Sequence, residues 1–391
     1  MEALVVSAAT AVSAVGHGRA AHAAALRARR GGLRPNDYDP AVGGWIGRVE
    51  GVEDHRLPPA LAAYDCRNHR LADMALDCDG FAAAVARARA RHGAARIAVV
   101  LGTSTSGVTA AEDAFRARDA DGALPDWFDF DNTQDLGALA RFVRDRLGLR
   151  GPALSVSTAC ASSARSFMDA AALIRTGIVD AAVVGGADSL CRMTLHGFAA
   201  LELLAPGPCR PCAADRAGIS IGEAAGFALL ERDGDGEARL LGAGASSDGY
   251  HMSSPHPEGA GAVAAMRGAL DAAGLAPDAI DWINLHGTAT RANDAIEDMA
   301  VAAVFGDAVP ASSTKGWTGH TLGACGILET VIALECMRGG FVAGCLGIDA
   351  ADPAFTAGIA VANTARPVRR VLSNSFGFGG INCSLVLGSA A

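Results

Sequence analysis

The residue of this chain best suited to covalent chemistry is Cys160. It follows a short predicted strand at residues 154–156 and precedes a helical pattern that has no Pro or Gly before Gly177. A cysteine at the start of a helix lies near unpaired N–H groups and the positive end of the helix dipole, and both favour the thiolate. The same N–H groups can stabilise an oxyanion. The pattern is therefore compatible with a nucleophile, although a buried structural cysteine is the commoner role.

Two histidines and the only lysine strengthen that interpretation. His286 begins a His-Gly-Thr-Ala-Thr turn after a predicted strand, and His320 lies five residues after Lys315 in a Gly-rich stretch. In α/β proteins, sites form where strands end and such turns begin. The chain has 33 Lys and Arg residues, and all except Lys315 are Arg. The retained lysine indicates a position that needs a compact ammonium rather than a planar guanidinium.

The elements that must position these residues alternate between short β-branched runs and Ala-rich helical stretches, which is typical of α/β layers. Predicted strands cover residues 94–101, 154–156, 180–184, 282–285, 311–315, 371–375 and 381–387, and predicted helices cover 161–176 and 322–337. The second half repeats the pattern of the first, which indicates a duplication. We therefore predict an N-terminal half at 1–240, which carries the nucleophile, and a C-terminal half at 241–391, which carries both histidines.

The composition argues against several classes of protein. A formal net charge of −9 does not suit a nucleic-acid partner. Half of the residues are hydrophobic and 19% are charged, so we expect a large core rather than disorder. No apolar run is long enough for a membrane span. The N-terminus carries Glu2 and no basic residue before its apolar stretch, which argues against a signal peptide. We expect a cytoplasmic protein, and ten cysteines in a chain of this size suit a reducing compartment.

Six ordered motifs resemble the β-ketoacyl-acyl-carrier-protein synthases, in the Cys-His-His branch of the thiolase-fold superfamily. They are VSTACASSA at 156–164, Cys-Arg-Pro at 209–211 with Asp-Arg at 215–216, Gly-Glu at 222–223, HGTAT at 286–290, the stretch 315–324, and NSFGFGG at 374–380. Their order and spacing make the resemblance specific. It implies an α/β fold in which thiolase-like duplicated βαβαβ halves form a layered α-β-α-β-α core.

The resemblance also implies a decarboxylating Claisen condensation. Cys160 would take an acyl chain from a carrier-protein thioester, and the backbone N–H groups of Cys160 and Phe378 would form the oxyanion hole. His286 and His320 would support loss of CO₂ from malonyl-carrier protein and stabilise the enolate. The enolate would then attack the acyl-cysteine and release a 3-oxoacyl product. No metal and no cofactor are implied, because the phosphopantetheine of an acyl carrier protein carries the substrates.

Other residues take supporting roles by the same resemblance. Lys315, together with Glu329, would anchor the charge network around His320, and Phe378 would act as a mobile gate between glycines. Asp294 and Glu297 are expected to be structural. The substrate-binding positions that the resemblance implies are Thr288, Thr290, Ser253, Phe198, Thr105 and Phe376.

Several residues depart from the family pattern or invite another interpretation. Cys209 and Cys212 form a CxxC that resembles half of a zinc site, but no second pair follows, so we expect packing instead. Cys383 lies in the final predicted strand, which favours a core position over the second cysteine of a biosynthetic thiolase. Arg291 stands where the family usually has Pro.

We therefore predict an elongating ketosynthase in fatty-acid or polyketide/polyene synthesis. Its partners would be an acyl carrier protein and either a second copy or a paralogous chain-length-factor subunit. Two alternatives stay open. One is a chain-length-factor-type partner subunit, which would lack the nucleophile present here as Cys160. The other is a CoA-dependent thiolase, which the two-histidine pattern disfavours.

Overall fold

The computed structural model describes residues 2–390. Its helices are α1 (Arg19–Arg27), α2 (Arg67–Leu76), α3 (Phe81–His92), α4 (Val108–Arg116), α5 (Ala138–Arg146), α6 (Ser162–Arg175), α7 (Arg192–Ala200), α8 (Ala260–Ala273), α9 (Arg291–Phe305), α10 (Lys315–Thr318) and α11 (Cys325–Gly339). Its strands are β1 (Leu4–Ser13), β2 (Gly16–His17), β3 (Arg34–Pro35), β4 (Trp45–Gly47), β5 (Ile97–Gly102), β6 (Ala153–Val156), β7 (Ala181–Asp188), β8 (Ile221–Gly222), β9 (Ala224–Glu231), β10 (Ala238–Ser247), β11 (Trp282–Asn284), β12 (Ala311–Ser312), β13 (Phe341–Val342), β14 (Thr364–Ala365), β15 (Arg370–Gly377) and β16 (Ile381–Ser389).

The order of the strands in the main sheet reveals the duplication. The sheet runs β12-β11-β15-β16-β10-β1-β9-β7-β5-β6. In the N-terminal half the order is β6-β5-β7-β9-β1, and in the C-terminal half it is β12-β11-β15-β16-β10. When the five strands of each half are numbered in chain order, both halves show the same arrangement across the sheet: third, second, fourth, fifth, first. In each half the fifth strand is antiparallel to both neighbours, and the other pairs are parallel. The halves join where β1 pairs with β10. The boundary at residue 240 stays a prediction.

Helices pack against both faces of the two half-sheets. Helices α6 and α11 form the middle layer, since α6 contacts β5, β7, β10 and β16 while α11 contacts β1, β9 and β15. On the outer faces, α2, α3 and α5 cover the N-terminal strands, and α8 covers the C-terminal strands with α9 packed beside it. This arrangement confirms the predicted α-β-α-β-α layers of a duplicated thiolase-like fold.

Small residues allow the two central helices to approach each other closely. A Cβ on Gly326, in the first turn of α11, would lie only 2.6 Å from the backbone nitrogen of Ala164 in α6. Only glycine tolerates that approach. The first turns of α6 and α11 therefore meet in the middle of the molecule, and the loops that precede these helices meet there as well.

Some predicted boundaries differ from the structure. Strand β12 is only Ala311–Ser312, and Lys315 begins the short helix α10 instead of ending the predicted strand 311–315. Strand β7 continues past the predicted end at residue 184. It passes through Gly185, at φ 138°, where the backbone of β9 lies too close for any side chain. None of the helices described within residues 2–390 combines the length and apolarity that crossing a membrane requires.

Candidate active site

The structure brings the predicted cysteine and both predicted histidines together. Cys160 lies between β6 and α6, His286 follows β11, and His320 follows α10. The Sγ atom of Cys160 is 2.9 Å from Nε2 of His320. Possible ligand atoms of the three residues all lie within 4.8 Å of one another, and the two imidazole rings meet edge to face at 5.2 Å between centroids. One thiol and two imidazoles therefore face a common reaction centre.

The resting thiol of Cys160 is protonated. Burial raises the pKa of Cys160 to about 12, although the charge of Lys315 and the backbone N–H groups of Phe378 and Cys160 oppose that rise. The thiolate expected at a helix start is therefore not the resting form, since desolvation exceeds the effect of the local dipoles. The same two N–H groups lie beside Sγ, as the predicted oxyanion hole requires.

Both histidines are neutral. Burial and the charge of Lys315 lower the pKa of His286 and that of His320 well below the usual value, and His320 lowers that of His286 further. Nζ of Lys315 is 3.5 Å from Nδ1 of His286. Because an ammonium can only donate, this contact favours an acceptor at Nδ1 and leaves the proton of His286 on Nε2. Neutral imidazole N–H groups are then available for a developing negative charge.

Lys315 and Glu329 form a buried ion pair behind the histidines. Nζ of Lys315 lies 2.5 Å from Oε1 of Glu329, and both side chains are almost fully inaccessible to solvent. Burial alone would lower the pKa of Lys315, but the Glu329 charge raises it above the usual value. Burial raises the pKa of Glu329 to about 7 against the opposing charge of Lys315. The pair places a fixed ammonium in contact with His286, and the charge of that ammonium also acts on His320.

Glu297, expected to be structural, holds the loop that carries His286. Its carboxylate accepts hydrogen bonds from the backbone N–H groups of His286 and Gly287, both at 2.7 Å, and from the amide of Asn374 at 3.1 Å. Burial raises its pKa to about 7, although these three donors oppose the rise. Asp294 similarly accepts from the backbone N–H of Ala289. The two carboxylates fix the turn that presents His286.

Asp188 is a positioning residue that the sequence reasoning missed. Its buried carboxylate accepts from the hydroxyl groups of Thr103, Ser104 and Thr105 and from the backbone N–H of Gly323, three residues after His320. It therefore ties the end of β5 to the loop that carries His320. The sequence does contain a signal for this role, because Asp188 is the one charged residue in an otherwise apolar strand. A charge in such a strand must find partners.

A cavity of about 500 Å³ opens beside the reaction centre. Cys160, His286 and His320 lie on its wall, as do six residues predicted to contact substrate or to gate the site: Phe198, Ser253, Thr288, Thr290, Phe376 and Phe378. The rings of Phe198 and Phe378 are 5.6 Å apart. Thr105 does not line the cavity, because its hydroxyl group is directed to Asp188 at 2.7 Å.

Three other cysteines singled out in the sequence, Cys209, Cys212 and Cys383, are buried. Cys209 donates to the carbonyl of Lys315 at 3.3 Å, while Cys212 contacts Cys345. Cys383 is fully buried in β16. Among residues 2–390, Cys160, His286 and His320 are the one set of three side chains arranged closely enough to hold a metal ion. The ammonium beside His286 opposes a cation there.

Comparison with known proteins agrees with this geometry. The sequence matches two adjoining domains, "Beta-ketoacyl synthase, N-terminal domain" over residues 69–236 and "Beta-ketoacyl synthase, C-terminal domain" over residues 237–349. The chain belongs to the β-ketoacyl synthase family. Within this family it is 40% identical over 260 residues to 3-oxoacyl-[acyl-carrier-protein] synthase 2 of Rhizobium meliloti, covering 61% of each chain. It is 35% identical over 304 residues to nodulation protein E of Rhizobium sp. strain N33, covering 74% of this chain and 75% of that protein.

Solved structures of β-ketoacyl synthases are similar along the whole chain. A ketosynthase from Xenorhabdus doucetiae, ApeO, solved in complex with its chain length factor ApeC, has a TM-score of 0.91 and 39% identity over 100% of this chain and 98% of that one. The chain spans about three-fifths of the length of the first curated relatives it matches, 58% to 62%.

Proposed function

We propose that this chain is a β-ketoacyl-acyl-carrier-protein synthase, which condenses an acyl chain on Cys160 with malonyl-carrier protein. The observation that carries the proposal is the convergence of one thiol and two neutral imidazoles on a single cavity. A thiol can hold an acyl group, and neutral N–H donors can stabilise an enolate. The family and its 3-oxoacyl-[acyl-carrier-protein] synthase members support the same reaction.

In the first half-reaction, Cys160 attacks the carbonyl of the incoming thioester. Because its thiol is protonated, Nε2 of His320, at 2.9 Å, accepts the proton as the C–S bond forms. The N–H groups of Cys160 and Phe378 stabilise the tetrahedral oxyanion. When the intermediate collapses, the bond to the carrier's sulfur breaks and the proton passes to that thiolate. The acyl group remains on Cys160.

In the second half-reaction, the malonyl carboxylate leaves as CO₂ and its bonding electrons form an enolate. Negative charge develops on the thioester oxygen, which the Nε2–H group of His286 stabilises. The enolate carbon attacks the acyl group, the bond to Cys160 breaks, and its thiolate takes up one proton from solvent. Lys315 keeps the His286 proton on Nε2 by occupying Nδ1. We propose that no metal or cofactor participates.

Product formation tests this proposal. Acyl-carrier and malonyl-carrier proteins should together give a 3-oxoacyl-carrier protein and one equivalent of CO₂. His286→Gln should retain acylation of Cys160 and lose CO₂ release. A chain-length-factor-type partner subunit would show no acylation, and a CoA-dependent thiolase would join two acetyl groups without CO₂ release. Either result would overturn the proposal.

We also propose a dimeric assembly with a paralogous subunit. Strand β6 ends the sheet on the side of the N-terminal half and exposes Leu154, and Phe115, Trp127 and Phe130 are also exposed. Residues 112–135 carry eight Asp and Glu but only two Arg. Two copies facing each other through this stretch would repel, so a basic partner fits better than a second copy. ApeO, with its chain length factor, provides a precedent.

The 3-oxoacyl-[acyl-carrier-protein] synthase of Rhizobium meliloti and the ketosynthase ApeO both support a role in chain elongation, in fatty-acid or in polyketide synthesis. An acyl carrier protein is the proposed donor of both substrates. The cytoplasmic location stays a prediction. The ten free cysteines are consistent with it, since a reducing compartment would preserve the thiol of Cys160.

A further inference from the structure

Arg291 is a residue that neither the fold nor the proposed chemistry explains. It is the first residue of α9, its side chain is exposed, and it lies on the wall of the active-site cavity. The Pro usual at this position suits the first turn of a helix. A cation there faces the positive end of the helix dipole. Arg291 is thus unfavourable for α9 itself, and such local conflicts are expected at functional positions.

The charge of Arg291 is not satisfied within the chain. Among residues 2–390, its guanidinium forms no ion pair or hydrogen bond, and only its carbonyl is used, by Arg216. Asp294, in the first turn of α9, is buried and accepts from the backbone N–H groups of Cys212 and Ala289. The guanidinium therefore remains available to a ligand in the cavity.

The other charges on the cavity wall restrict the kind of anion that fits. Within the described residues, Arg291 is the only Arg or Lys on that wall, and Glu202 and Asp248 are its carboxylates. Asp248 accepts from the Asn382 amide at 2.7 Å and from the backbone N–H of His256 at 2.9 Å. These carboxylates repel a polyanion, so a ligand with one anionic group at one end suits the cavity best.

We propose that Arg291 binds the phosphodiester of the phosphopantetheine arm and so favours carrier-bound substrates. This inference rests on the proposed function. The arm has its thioester at one end and a single negative phosphodiester at the other, and the cavity extends from buried Cys160 to exposed Arg291. The hydroxyl groups of Thr288 and Thr290 lie on the wall beside Arg291. A guanidinium can form two parallel, charge-assisted hydrogen bonds to phosphate oxygens, which Pro cannot.

The test compares hexanoyl thioesters of pantetheine, of 4′-phosphopantetheine and of an acyl carrier protein. The rate of Cys160 acylation is followed by intact mass for the wild type and for Arg291→Ala, Arg291→Lys and Arg291→Pro. Arg267→Ala is the matched control, because it removes an exposed charge from α8 away from the cavity. We expect Arg291→Ala and Arg291→Pro to lose about tenfold in kcat/KM on the two phosphate-bearing thioesters, equivalent to about 1.4 kcal/mol. The pantetheine thioester should be unaffected, and Arg291→Lys should be intermediate.

Three other outcomes would overturn the inference. Equal losses on all three thioesters would mean that Arg291 supports the loop rather than the phosphate. A loss confined to the carrier protein would assign Arg291 to the carrier's surface. A loss no greater than that of Arg267→Ala would indicate only a general charge effect. Failure of the proposed function would look different, since the wild type itself would not be acylated by any thioester.

Discussion

Replacing Lys315 by Met separates the structural role of the buried ion pair from its chemical role. Met fills a similar volume but leaves the carboxyl group of Glu329 without its cation. Breaking a buried pair by removing one partner costs about 3–5 kcal/mol. The pKa of Glu329 is already about 7 and would rise further without Lys315. The carboxyl group can therefore protonate, and we expect a loss near 3 kcal/mol at neutral pH.

The pH dependence of that loss has a definite sign. Unfolded Glu titrates near pH 4.3, whereas buried, unpaired Glu329 titrates at about 7 or above. The native state then binds more protons than the unfolded state, so the free energy of unfolding falls as the pH rises between these two values. The wild type shares this loss up to about pH 7, where its own Glu329 titrates, so the additional loss of the variant relative to the wild type should appear above about pH 7.

The double variant Lys315→Met/Glu329→Gln distinguishes the two roles. It restores most of the stability, because no buried charge remains unpaired. It should not restore CO₂ release from malonyl-carrier protein, which we expect to fall about a hundredfold in both variants. Cys160 should still be acylated. Arg19→Met, which removes the ion pairs of Arg19 with Glu237 and Glu335 while Arg338 still pairs with Glu335, is the control for lost stability without lost chemistry.

The assays are urea unfolding and CO₂ release measured on the same preparations. If the double variant regained near-wild-type CO₂ release, Lys315 would be structural only. Lys315→Arg provides a further check, since the wider guanidinium should not fit between His286 and Glu329, and it too should lose decarboxylation about a hundredfold.

Three further outcomes follow from the structure. The rate at which iodoacetamide alkylates Cys160 should keep rising from pH 7 to 10, because the pKa of Cys160 is about 12. The half-buried Cys78 should also be labelled, and a plateau in the Cys160 rate below pH 8 would contradict the raised pKa. Gly377→Ala should slow acylation at least about tenfold, since its Cβ would lie 3.2 Å from the Cys160 nitrogen, whereas Gly43→Ala, where the space is open, should not. By light scattering, the wild type should form a heterodimer with its paralogous subunit, and Leu154→Arg, on the free edge of β6, should not; an unchanged heterodimer would place the interface elsewhere.

The sequence predicted the strand and helix around Cys160 well, because periodicity and the absence of Pro and Gly are local signals. Residues 154–156 and 161–176 correspond to Ala153–Val156 and Ser162–Arg175. The prediction was less accurate at Lys315, which begins a helix. The five residues Ala-Ser-Ser-Thr-Lys at 311–315 are too few to show whether a short strand continues or turns into a helix.

Only the family resemblance allowed the residues of the site to be predicted as one group. Some of the contacts between them could not be predicted even with that resemblance. The contact between Lys315 and Nδ1 of His286 depends on how α10 turns, which the spacing of the residues does not determine. The hydrogen bonds of Asp188 include one from Gly323, in a loop distant in sequence, and another from the hydroxyl group of Thr105, which is thereby directed away from the cavity. The raised pKa of Cys160 depends on burial, which a helix-dipole argument does not include.

Intact-mass analysis of the chain mixed with an acyl-carrier protein shows whether Cys160 is the acylated nucleophile of a condensing enzyme. We expect the protein to gain the mass of one acyl group, peptide mapping to place that group on Cys160, and malonyl-carrier protein then to remove it as a 3-oxoacyl product. Cys160→Ala should gain nothing. An acyl group on another residue, or one on Cys160 that malonyl-carrier protein does not remove, would show that Cys160 does not carry the condensation.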